Sequence, residues 1–118
     1  MTDISFLLDR PIAYHRCFVT LTGSVTAAVM LSQAFYWSNR TEDPEGWFWK
    51  TQEQWTEETG LTRFEQETAR KKLRSLGIWE EKREGVPAKL FFRLNIKAIS
   101  ELLKSHNPVC GKASSQYA

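Results

Sequence analysis

From Ser24 onward, Val25, Ala28, Val29, Leu31, Ser32, Phe35 and Tyr36 recur close to a 3.6-residue spacing as far as Asn39, the pattern of a helix with one face turned to a core. Ser24 stands where an N-cap is needed. Upstream, Ile4 to Leu21 mixes short apolar runs with Pro11 and keeps no clean period, so residues 1–22 are expected to form a strand or an irregular arm. Downstream, Thr41-Glu42-Asp43-Pro44-Glu45-Gly46 is turn chemistry, and Trp47-Phe48-Trp49-Lys50 is too aromatic for a loop and predicts a short strand.

Thr51 with Gln54 three positions on opens a second helix over residues 52–59, which Gly60 ends. Leu61 then points inward, and Thr62 with Glu65 makes a Thr-x-x-Glu capping box for a third helix from Arg63 to Leu76. Gly77 is a helix-stopping residue. Ile78 to Lys82 begins a strand, residues 83–88 form a Gly/Pro loop, and Lys89 to Ile96 returns as the second strand of a hairpin. Ala98 to Lys104 predicts a short final helix with Ile99, Leu102 and Leu103 on one face. Residues 106–118, rich in Asn, Pro, Gly and Ser, read as a flexible tail or the start of a linker.

Helix, strand, helix, tight turn, helix and hairpin is the order of a winged helix-turn-helix, a mainly α fold with a small β-hairpin (α+β). It is expected to occupy residues 23–105 as one domain, since 118 residues suit a single core. Aromatic side chains make up 13% of the chain, five of them tryptophan, enough to fill a modest core without disulfides. Cys17 and Cys110 lie 93 positions apart and match no metal knuckle or disulfide framework; they read as free thiols in a reducing cytoplasm. No basic leader followed by an apolar run opens the chain, and no stretch of about 18 apolar residues occurs, so neither secretion nor a membrane span is expected.

The net charge of +2 hides an uneven distribution. Residues 41–62 carry six acids against Lys50 alone, whereas residues 63–97 carry ten bases against five acids. Concentrated positive charge on a helix and the hairpin after it suits a polyanion. On the third helix Ala69, Leu73 and Leu76 share one face and should pack with Leu61 and Ile78. The opposite face carries Arg63, Phe64, Glu67, Thr68 and Lys71, the candidates for reading base edges of double-stranded DNA, because a recognition helix enters the major groove N-terminal end first. Thr62, Arg70, Lys72, Arg74, Arg83, Lys89 and Arg93 are the candidates for phosphate contacts. Glu65 and Glu67 weigh toward a merely solvated face, since a carboxylate near DNA is repelled unless it accepts from a cytosine amino group.

Trp47, Trp49, Trp55 and Trp79 could stack on unpaired bases, yet their places in or beside regular elements favour a core role. Phe35, Tyr36 and Trp37 at the end of the first long helix read as core or as a docking surface for replication proteins or a second copy. Phe64 stands out because helical phase leaves it exposed. His15 and His106 are isolated, and no HExxH, GxSxG or Gly-rich phosphate loop occurs, so neither an enzyme nor a metal or other cofactor is expected.

Phe35-Tyr36-Trp37-Ser38, Gly46-Trp47-Phe48-Trp49-Lys50-Thr51-Gln52-Glu53, residues 59–70, Leu76-Gly77-Ile78 and Gly85-Val86-Pro87-Ala88-Lys89 come in an order that resembles the N-terminal winged-helix domain of phage and plasmid replication proteins. The resemblance spans about residues 10 to 97. It implies a domain that helps recognise a replication origin or gathers replication proteins there, usually followed by a linker. Related folds also serve as transcription regulators and as protein-docking or inhibitory modules, and the residues alone leave those alternatives open.

Overall fold

The computed structural model describes residues 4–8 and 10–106. A 3-10 turn at Ser5–Leu7 precedes helices α1 (Arg16–Thr22) and α2 (Val25–Ser38), strand β1 (Phe48–Trp49), helices α3 (Gln52–Thr59) and α4 (Arg63–Ser75), strands β2 (Trp79–Glu84) and β3 (Lys89–Leu94), and helix α5 (Ile96–His106). The chain is thus an α+β fold with a three-stranded antiparallel sheet in the order β1–β3–β2. The expected tail falls outside the described residues, except for the backbone of His106.

The starts of α2 and α5 follow from local chemistry. The Ser24 hydroxyl accepts from Ala27 N at 3.2 Å and caps α2. Small residues Ala27, Ala28 and Ala34 then let α2 lie close under α1 and α4, with Met30 and Leu31 filling the space between. Asn95 ends β3 earlier than the apolar run suggests, because its side chain accepts from Ala98 N at 3.0 Å and starts α5 two residues before the expected Ala98.

The sheet's inner face and α3 meet in an aromatic cluster. Register places Phe48 and Glu81 on either side of Phe92, and Trp79 opposite Leu94. The Phe92 ring lies 5.4 Å from Trp55, 5.5 Å from Trp79 and 5.8 Å from Phe48, edge-on to the two indoles. Such pairs add about 0.5–1.5 kcal/mol each beyond the area they bury. Trp55 and Trp79 are therefore core residues as expected, but Trp47 and Trp49 are not: strand alternation turns Trp49 to the outer face beside Phe91, and Trp49 stays 44% exposed.

Residues 16–22 differ from the strand or irregular arm expected there. They form α1, whose Phe18, Leu21 and Thr22 are buried at helical spacing against α2 and α5. The β-branched Val19, Thr20 and Thr22 hid the period, and packing overrode their weak helix preference. Thr22 Oγ1 donates to Phe18 O at 2.7 Å, and Gly23, with φ +73°, closes the helix in a conformation other residues resist.

The turn between α3 and α4 comprises residues 60–62. Gly60, at φ +78°, returns its N–H to Thr56 O at 2.8 Å. Leu61 is buried, and Thr62 and Glu65 exchange two hydrogen bonds of 3.2 and 2.9 Å as a capping box. Gln66 completes the turn from within the core. The side chain is only 1% exposed, and its amide nitrogen, with two protons to donate, has Thr56 Oγ1 at 2.9 Å, Leu61 O at 3.1 Å and Gln52 O at 3.3 Å as acceptors. The Thr56 hydroxyl in turn donates to Leu61 O at 3.0 Å.

These contacts set two expected outcomes for urea denaturation. Thr62→Ala should lower stability by about 1 kcal/mol, the worth of one cap. Gln66→Ala should cost more, about 2–3 kcal/mol, because it strips a buried carbonyl of a donor and opens a void. Equal or negligible losses would show that the turn does not depend on the buried amide.

Candidate nucleic-acid interface

Helix α4 is sharply two-sided. Gln66, Ala69 and Leu73 are buried, and Leu76 packs partly against the core beside Ile78. Arg63, Phe64, Glu67, Thr68, Lys71, Lys72 and Arg74 face solvent. All five residues proposed from sequence to read bases thus share the exposed surface of the first two and a half turns. Arg63 and Glu67 lean on each other, Nε to Oε1 at 3.1 Å, both well exposed; such an i,i+4 pair contributes only about 0.3–0.5 kcal/mol and yields readily to another partner.

The seven phosphate candidates are not brought together. Glu81 gathers two of them: Arg70 holds it through two 2.7 Å bonds, and Arg74 adds a third at 3.0 Å. Trp79 Nε1 donates to the same carboxylate at 2.7 Å. This group joins α4 to β2. Arg93, on the outer sheet face, is gripped by Glu80 at 2.9 and 3.0 Å and approaches Glu45 at 3.6 Å. Arg70 and Arg93 therefore have their planar forks engaged by carboxylates of the chain itself, an arrangement invisible in sequence because the partners lie 11 and 13 positions away.

Lys89 also points off the outer face, its Nζ 4.1 Å above the Trp49 ring. Arg83 lies two residues beyond Glu81, so alternation sends it off the face that α4 packs on. Neither Lys71, Lys72 nor Arg83 makes an ion pair among the described residues. Thr62 serves as the α4 cap, its hydroxyl already accepting from Glu65 N. On the outer face the aromatic rings are themselves occupied: Lys82 and Arg93 stand 4.3 and 4.7 Å over Trp47. Bases could stack there only by displacing these cations.

A second polar group lies behind the turn and was not foreseen from sequence. Lys50, only 5% exposed at its side chain, meets Glu58 Oε2 at 2.6 Å, while Gln33 Nε2 and Trp37 Nε1 each donate to Oε1 at 2.7 Å. The Lys50 ammonium also sits 4.1 Å over the Trp37 ring. Trp37 is thereby tied to α3, whereas Tyr36 beside it remains 41% exposed under the Arg40 guanidinium. A groove of about 970 Å³ runs past these residues, between the chain at residues 10–15 and the C-terminal half of α2. His15 lines it, its ring edge-on to Phe18 and Phe35 and its backbone N–H donated to Ser32 Oγ at 2.9 Å.

Among the described residues no group of three or more His, Cys, Asp or Glu side chains could hold a metal ion, and no helix is long and apolar enough to cross a membrane.

Burial pushes the carboxyls of Glu58 and Glu81 up, but hydrogen bonds from Lys50, Gln33 and Trp37 in the first case, and from Arg70 and Trp79 in the second, outweigh it together with the neighbouring positive charges. Both carboxyls are held below the ordinary value of 4.5. Their contribution to stability is fully present above that value and is lost as pH falls through the lower folded value. Thermal unfolding followed from pH 7 downward should therefore show stability falling below about pH 4.5, and Glu81→Gln should flatten that fall. An unchanged acid slope in the variant would mean that the α4–β2 junction does not depend on the ionised carboxylate. Compared with protein-family models, curated proteins and solved structures, the chain matches none.

Proposed function

We propose that this domain is a winged helix-turn-helix module that binds double-stranded DNA, with α4 in the major groove and the β2–β3 hairpin as the wing along the backbone. The succession of α2, β1, α3, α4 and the hairpin, with β1 paired to β3, supports that reading of the fold. The observation that carries the function is the exposed face of α4. Behind a three-residue turn braced by Gln66, its capped first turns present Arg63, Phe64, Glu67, Thr68 and Lys71 to solvent together. A helix start also offers free N–H groups toward an anion.

Arg63 can release Glu67 and offer its fork to guanine O6 and N7, while Glu67 can accept from a cytosine amino group. Lys72 and Arg83, free of carboxylates, are assigned to phosphates, with Arg74 as a shared donor. Arg70 and Arg93 are assigned to holding the fold, since each would have to abandon a bidentate partner to reach DNA. The domain acts by binding rather than catalysis. The resemblance of the sequence to phage and plasmid replication proteins supports a replication origin as the place of this binding.

A second reading, a docking module for replication proteins or another copy, is favoured by the groove beside Phe35, Tyr36 and Trp37. The two readings separate on variants. For DNA binding, Arg63→Ala should cost about 1–3 kcal/mol on a preferred duplex and relax one base position. Lys72→Ala and Arg83→Ala should weaken all duplexes alike and each reduce the salt slope by about 0.9. Arg70→Ala should instead lower folding stability by about 1.5–3 kcal/mol. Duplex binding indifferent to Arg63, Lys72 and Arg83 would transfer the functional surface to the groove.

A further inference from the structure

Phe64 is the most exposed aromatic ring among the described side chains, 76% open to solvent, on the second residue of α4. Tyr14, Tyr36, Trp47 and Trp49 are exposed or half-exposed too, but Tyr14 is only 47% open and the other three each carry a cation on the ring. Nothing comparable covers Phe64 among the described residues. The ring stands bare at the leading end of a polar stripe that continues through Thr68 and Lys71, on the same exposed surface as the Arg63–Glu67 pair. A phenyl ring in this position cannot serve the core, since Gln66, Ala69 and Leu73 face the other way. It can only gain by burial against something brought to the helix.

The floor of a major groove is polar almost throughout, and its one apolar projection is the C5 methyl of thymine. We infer that Phe64 is a specificity-determining residue that packs on a thymine C5 methyl. The inference rests on the DNA reading of α4 and adds the base class that the helix's leading end selects. The polar neighbours then have complementary work: Arg63 and Glu67 address hydrogen-bonding edges, and Phe64 the methyl between them.

The test begins with the full chain and a random-sequence duplex pool, from which a preferred duplex is enriched. Each thymine in that duplex is then replaced singly by deoxyuridine, which keeps base pairing and removes only the methyl. Wild-type protein should lose about fourfold in affinity at one or two positions, the worth of one methyl-sized group buried. Phe64→Ala should bind the thymine and uracil forms equally, with an unchanged unfolding midpoint, and Phe64→Leu should keep part of the preference. Wild-type binding equal at every position, or a uracil penalty that persists in Phe64→Ala, would overturn the methyl contact while leaving DNA binding intact. Failure to enrich any duplex would overturn the DNA reading itself, and this contact with it.

Discussion

The amide of Gln66 is where the core and the exposed surface of this protein meet. It lies one helical turn inside α4, at a position where helical phase calls for an apolar side chain, and it spends its donors on α3, at Gln52 and Thr56, and on the loop between the helices. With Thr56 and Leu61 it fixes how α4 leaves α3. Everything α4 presents outward, from Arg63 to Lys72, inherits its direction from that junction. A polar residue in such a place is costly unless satisfied, and here three acceptors stand within hydrogen-bond distance of one nitrogen.

Charge follows a similar division between holding and presenting. Of the ten bases in residues 63–97, Arg63, Arg70, Arg74, Lys82 and Arg93 have a carboxylate partner. Arg70 and Arg93 use both arms of the fork to brace α4 on β2 and β2 on β3. The positive potential left for a polyanion is consequently smaller than the sequence count and sits at Lys71, Lys72, Arg83, Lys89 and Lys97. The Lys50–Glu58 group does comparable bracing on the far side of the turn, linking α2, α3 and the residue after β1.

Much of the fold was legible because local chemistry and packing agree. Ser24, Thr51 and Thr62 cap helices where they were expected to, and Gly60 and Gly77 stand at positive φ after α3 and α4. What escaped depends on distance along the chain. Helix α1 forms because Phe18 and Leu21 find α2 and α5, which no local pattern announces. Trp47 and Trp49 looked like core from their place in a short strand, yet strand alternation puts Trp49 on the outer face. The exposed face of α4 could be read from helical phase alone, including Phe64. The pairing of Arg70 with Glu81 and of Arg93 with Glu80 could not, since it requires knowing the register of the hairpin and its place beside α4.

The most direct measurement is a titration of the labelled protein with a mixed-sequence duplex at low salt, followed through its amide NMR signals. A DNA-reading α4 should give shifts concentrated at residues 62–72 and at the hairpin around Arg83, reversed as salt is raised. Shifts confined to the groove beside Tyr36, or no shifts at any salt concentration, would contradict the account.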